Sequence, residues 1–271
     1  MIELFYRLPM WLTTVLVLGS SLAIGLVASS GFRWMFRLQS TEENAEIAVS
    51  LMQVVAAYIG ILIAFAGVQV WQDFSDAEQA VHREAASAAE LYRDLATFGP
   101  ETLPARAGLR RYVATVVQDE WPLLAKGGAS ASTEVALARL FNQVGRIRPR
   151  DARDSTIYTQ AFLSLNKLVG FRRDRLIHSK SGMPTILWIV GLCGSILIVA
   201  YTATFPRTRT NLMMIGGMSV ALGLVFLFIL IVDRPYMGEF SVSSDELSAL
   251  PDRFDLLDGI NAGEANPAPS Q

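Results

Sequence analysis

The sequence predicts an all-α membrane protein: four transmembrane helices in two pairs, with a helical domain inserted between the pairs. Three observations carry this. Four apolar runs, 10–30, 45–72, 185–205 and 212–232, are almost free of charge, and each reaches the roughly 20 residues that a helix needs to cross about 30 Å of hydrocarbon. A soluble core helix needs only one apolar stripe, so apolarity all round over such lengths belongs to a bilayer. The chain is 52% hydrophobic with a mean hydropathy of +0.36, both high for a soluble protein of 271 residues. Finally, Trp11, Trp34, Trp71 and Trp188 stand at or near ends of the first three runs, and Tyr236 follows the fourth. Trp and Tyr favour the headgroup level, where one end of the ring system is wetted.

The first run is expected to remain as a spanning helix. Ala28 and Ser30 sit roughly where a signal cleavage site could lie, but the apolar stretch exceeds a usual signal core and only Arg7 precedes it. The second run leads into a polar stretch where Phe74, Ala77, Val81, Ala88, Leu91, Leu95 and Phe98 recur at three- and four-residue steps. That spacing extends the second helix far beyond the apolar run, until Gly99-Pro100 stops it. A helix is predicted from near Pro104 with Leu109, Val113, Val116 and Val117 as its stripe; Pro122 should kink or end it. Another begins at Ser132-Thr133-Glu134, and a last one is capped by Asp151 or Asp154. The tail after Pro251 is rich in Gly, Pro, Asn, Ala and acid, and is expected to be largely disordered. The domains are therefore read as 1–72, the first helix pair; 73–183, a cytoplasmic helical domain; 184–235, the second pair; and 236–271, an acidic tail.

Charge is unevenly spread. Residues 73–183 hold 16 Lys and Arg against 13 Asp and Glu, while 233–271 hold 2 against 8. The two are expected either to attract each other or to be ordinary solvated faces. An even number of spans puts both termini and the inserted domain on one side. That side offers Arg7, Arg83, Arg172, Arg173, Arg175, Lys180 and Arg234 near the membrane, and the short loops offer Arg33, Arg37, Arg207 and Arg209. Cations are retained inside, so a multi-pass protein of the cell inner membrane with cytoplasmic termini is expected. The single cysteine, Cys193, permits no intrachain disulfide, and two histidines cannot build a soft-ligand metal site. No nucleophile, metal set or phosphate loop appears, so no enzyme, cofactor, metal or nucleic-acid partner is predicted.

Several strings occur together in order: Thr41-Glu42-Glu43-Asn44-Ala45-Glu46, Val81-His82-Arg83-Glu84-Ala85, Leu91-Tyr92-Arg93-Asp94-Leu95, Asp119-Glu120-Trp121-Pro122 and Asp233-Arg234-Pro235-Tyr236. The set resembles the bestrophin-like family of bacterial membrane proteins, whose function is not established. The resemblance covers about 1–250. It implies kinship with bestrophins, pentameric ion channels of four membrane helices in which the second lines the pore. Bestrophins proper also carry an acid-rich calcium clasp after the last membrane helix. No acidic run follows Asp233-Arg234-Pro235 directly, so calcium gating is not implied here.

In the second span, Gln53, Ala56, Gly60, Ala64 and Gly67 share one face. They suit a pore wall, with Ile59, Ile63 or Phe65 as an apolar constriction, or equally a close helix–helix contact. Glu42, Glu43 and Glu46 cluster at that helix's start, as dipole-stabilising acids or as an outer-mouth ring that Arg33 and Arg37 could neutralise. Asp233 and Arg234 read as a structural clamp where the fourth span leaves the membrane. His82 on its charged helix reads as a surface residue, with pH sensing as the sharper possibility. Two functions remain open: a homo-oligomeric ion channel, most simply a pentamer passing small inorganic ions across the lipid bilayer, or a membrane-anchored scaffold or sensor without a pore. No charge lies deep in a span, which argues against a proton-coupled transporter.

Overall fold

A computed structural model describes residues 5–6, 8–36 and 41–265. Every regular element among the described residues is a helix, and the chain divides into two compact units, Met1–Phe74 with Gly182–Ser241, and Ser75–Ser181 with Val242–Gln271.

The first unit holds α1 (Met10–Phe36), the N-terminal part of α2 (Glu42–Phe98), α7 (Thr185–Tyr201) and α8 (Arg209–Val232). All four helices are long and apolar enough to cross a membrane. Lipid tails are as apolar as leucine, so helices in a bilayer associate by shape rather than by hydrophobic contrast, and small residues let them approach. The contacts here follow that rule. A β-carbon on Gly223 of α8 would meet Ser21 of α1 at 2.6 Å, and one on Gly25 of α1 would meet the Cβ of Ser219 at 2.7 Å. On α7, Gly191 lies under Phe226, and a β-carbon on Gly194 would meet Ile59 Cγ1 of α2 at 2.7 Å. Thr202 Oγ1 donates to Ser29 Oγ at 3.1 Å, and Arg33 Nη1 donates to the Phe205 carbonyl at 3.0 Å, which ties the end of α1 to the α7–α8 connection.

The second unit begins with the rest of α2, a single helix of 57 residues. All seven residues of its predicted stripe, Phe74 to Phe98, are buried. The helix ends at Gly99, whose φ of 133° is a conformation that L side chains rarely adopt. Next come α3 (Leu103–Thr115), a π-helical turn (Val116–Glu120) and the short α4 (Trp121–Leu124). The regular α-helix thus ends before Pro122, at the π-turn, and a short helix resumes around the proline. Pro122 sits in the first turn of α4, where its missing N–H has no helical partner to lose. Then follow α5 (Ala131–Gly145) and α6 (Ala152–His178), whose cap is Asp151, accepting from the Asp154 N–H at 2.7 Å.

The tail differs from its expected disorder. It forms α9 (Asp245–Ser248) and α10 (Leu250–Ala265), and Leu247, Leu250 and Phe254 are fully buried. Phe254 stacks on Tyr92 of α2 with centroids 4.0 Å apart and planes within 5°. Asp258 accepts from Tyr92 Oη and Arg106 Nη1, each at 2.6 Å, and Asp255 lies 2.8 Å from Arg110 Nη2. The acidic tail thus docks on arginines of α3, the attraction that the charge imbalance suggested.

Candidate functional site

The membrane half of α2 is exposed over most of its circumference; 11% of its most apolar stretch is buried, against 39% for α7 and 44% for α8. At roughly 100° per residue, Ile63, Ala66, Val70 and Phe74 form one narrow buried line. Gln53, Gly60 and Ala64 lie on the open surface beside that line, while Ala56 and Gly67 are half-buried at its edge. A β-carbon on Gly60 would meet nothing within 4 Å, and one on Gly67 would meet only Phe228 Cε1, at 3.8 Å.

The three apolar candidates separate. Ile63 is 7% exposed and lies beside Gly191, Ile59 packs on Gly194, and Phe65 is 70% exposed. The reason is angular: two residues along a helix turn a side chain most of the way to the opposite face. Ile59 and Ile63 are held inside the unit, and Phe65 shares the open surface with Val54, Tyr58 and Ile61.

At the start of α2, Thr41 Oγ1 accepts the Asn44 N–H at 3.3 Å, and Glu43 and Glu46 are exposed. Arg37, Arg7 and the Glu42 side chain lie outside the described residues. Asp233 is buried and accepts the Met183 N–H; Arg234 Nε stands 3.9 Å from its second oxygen. Asp233 therefore ties the end of α8 to the segment that starts α7. Arg172 and Arg175 are engaged elsewhere, in a charged core of the second unit that sequence reasoning missed.

In that core Arg175 donates to Glu84 through Nε at 2.6 Å and Nη2 at 3.1 Å, and to Glu120 Oε1 at 2.8 Å. Arg172 Nη2 donates to Glu120 Oε2 at 2.7 Å, and its Nη1 to Glu134 at 2.6 Å. Tyr112 Oη donates to Glu84 Oε1 at 2.6 Å, and the Arg175 guanidinium lies over Trp121. The π-turn carries Glu120 inward, while its neighbour Asp119 stays outside, accepting from Ser132. Burial alone would push the Glu120 carboxyl up, but hydrogen bonds from Arg172 and the charges of Arg175 and Arg172 outweigh it and hold the group below the usual range. Burial, then the Glu84 charge, drives the Tyr112 hydroxyl well above its ordinary value. His82 is exposed, 3.8 Å from Glu246. Among the described residues no cluster of His, Cys, Asp or Glu could hold a metal ion.

Four apolar helices joined to an all-helical polar unit define a multi-pass helical membrane protein. The bestrophin-like domain matches residues 7–247, and the chain belongs to the bestrophin-like family. Two solved variants of a bacterial bestrophin homologue from Klebsiella pneumoniae have similar folds. One is 13% identical with a TM-score of 0.68, covering 91% of this chain and 99% of its own. Another is 14% identical with a TM-score of 0.66, covering 92% and 98%. At such identity the likeness is one of fold. No curated protein sequence matches this one.

Proposed function

We propose that this chain assembles as a homo-oligomer, a pentamer in the simplest case, around an ion path lined by α2. The supporting observation is Gln53. It is a primary amide within an apolar span, it faces outward, and among the described residues it has no hydrogen-bond partner. An amide left unsatisfied against lipid costs several kcal/mol, on the order of 2–7. An aqueous path or a neighbouring copy removes that cost; lipid does not. The small residues beside it leave room for ions, and family membership supports a channel over an enzyme.

The test is current through planar bilayers holding the purified protein. If Gln53 meets the permeating ion, Gln53→Glu shifts selectivity towards cations. A wild-type oligomer that passes no current at any pH or salt composition sinks this reading and leaves a membrane-anchored scaffold. So does a Gln53→Glu variant of unchanged selectivity, for the placement of Gln53 on the path.

A further inference from the structure

Helices α3 and α5 of the second unit bound an open groove of about 370 Å³, lined by Arg111 and Thr115 on one wall and Ala131, Ser132, Val135, Ala136 and Arg139 on the other. That size falls within the roughly 300–1,000 Å³ of small-molecule sites. The arginines on its two walls are distinctive. Arg106 and Arg110, on the same helix as Arg111, both pair with tail carboxylates. Among the described residues, Arg111 and Arg139 have no carboxylate partner. The nearby acids are occupied: Asp119 by the Ser132 hydroxyl, Glu134 by Arg172. The two hydroxyls are also committed, Thr115 donating to the Tyr112 carbonyl and Ser132 to Asp119. The free donors of the lining side chains are thus two guanidiniums on facing walls. Small side chains between them leave the space unfilled.

We propose that this groove binds a phosphate monoester through Arg111 and Arg139. Like charges facing one cleft raise its potential and draw an anion in. A carboxylate presents both oxygens along one edge and satisfies one guanidinium fork well. A phosphate presents oxygens in several directions, so it can take a charge-assisted pair from each wall at once. Val135, 49% exposed, gives the esterified organic part an apolar surface to lie on. The monoester could be a soluble metabolite or an anionic lipid headgroup.

The whole protein, purified in phosphate-free detergent, is titrated calorimetrically with glycerol 3-phosphate at about 0.15 M salt, where screening beyond about 8 Å removes diffuse attraction. In parallel, chains in nanodiscs of phosphatidylcholine, with and without phosphatidic acid, are compared by the added lipid's effect on melting. Saturable binding of one glycerol 3-phosphate per chain supports a soluble ligand. Stabilisation by phosphatidic acid alone supports the lipid. In either case Arg111→Gln with Arg139→Gln should weaken the effect at least about tenfold, since two charge-assisted pairs are lost. Val135→Glu, which brings a carboxylate to the groove with both arginines intact, should do the same. Arg146→Gln, an exposed cation outside the lining, should change little. Melting curves identify any variant that fails to fold, and the remaining variant then decides. The proposal falls if neither probe has an effect, if both groove variants that fold retain it, or if Arg146→Gln loses as much.

Discussion

Arg175 grips Glu84 with two hydrogen bonds, Nε to Oε2 at 2.6 Å and Nη2 to Oε1 at 3.1 Å, and both side chains are wholly buried. Glu84 stands on α2 and Arg175 on α6, so the pair fixes the rotation of α2 within the second unit. Replacing such a pair by well-packed apolar residues is often neutral, but removing one partner strands a buried charge. Arg175→Met is therefore expected to destabilise the protein by about 3–5 kcal/mol. Arg175→Lys should recover little, because an ammonium cannot reproduce the fork that spans Glu84 and Glu120. Chemical denaturation in mild detergent, following tryptophan fluorescence, measures both. A loss under about 1 kcal/mol in Arg175→Met would show the core to be loosely coupled.

Glu120 sets a pH dependence whose sign follows from its arginines. Its folded pKa lies below the unfolded value, near 4.3 for glutamate. The stability it contributes is thus fully present above that value and is lost as pH falls through the lower, folded one. Melting temperatures taken from neutral to acid should fall below about pH 4.3. Glu120→Gln should melt lower at neutral pH and show a shallower acid limb. An acid limb identical to wild type would mean that other carboxylates carry it.

The docked tail is held by one ring stack and a cluster of ion pairs. Phe254 is fully buried against Tyr92, and Asp258 joins it to Tyr92, Arg106 and Arg110. Phe254→Ala removes the ring from this contact, a change that typically costs about 3–5 kcal/mol in a core. Because α10 is terminal, that cost should appear as local undocking. Hydrogen exchange in α10 should accelerate and proteolysis after Arg253 should begin while α3 stays protected. Simultaneous loss of protection in both would instead mean one cooperative unit.

How much of this was legible depended on whether its cause is local in sequence. The four spans were, because hydrocarbon imposes an all-round apolar composition on each run separately. The length of α2 was, since seven apolar residues from Phe74 to Phe98 keep helical phase. The charged core was not. Arg175 lies 91 residues from Glu84 and 55 from Glu120, and nothing local distinguishes a buried arginine from its exposed neighbour Arg173. The π-turn hid behind Pro122, which reads as a helix stop. In the tail, Leu247, Leu250 and Phe254 were too sparse among acids to signal a docking face, though the arginines awaiting them were visible. Within α2, the side-by-side placement of Gln53, Gly60 and Ala64 followed from spacing, but which residues α7 covers did not.

Topology is open to direct labelling. With Cys193, which is exposed, replaced by Ser, single cysteines at Ala129 and Thr208 should react from opposite faces of intact cells. Thr208 should be reached by an impermeant reagent and Ala129 should not, if the count of membrane-proximal cations sets the orientation. Labelling of Ala129 from outside would reverse it.

The proposed pore face can be tested through two glycines in different surroundings. A β-carbon on Gly25 would meet the Cβ of Ser219 at 2.7 Å, whereas one on Gly60 would meet nothing within 4 Å. Gly25→Leu forces α1 away from α8 and should lower yield and stability, by about 1–3 kcal/mol as overpacking usually does. A side chain begun at Gly60 has open space before it, where its effect is read on what lies beyond the single chain: an ion path, a neighbouring copy or lipid. Native mass measurement and planar-bilayer recording together separate these. An intact oligomer with sharply reduced current places Gly60 on the wall of the path. Loss of the oligomer places it in the contact between copies, where a small residue permits close approach. Unchanged mass and unchanged current mean that Gly60 faces lipid, and the path must then be sought on another arc of α2, beginning with the exposed Tyr58, Ile61 and Phe65.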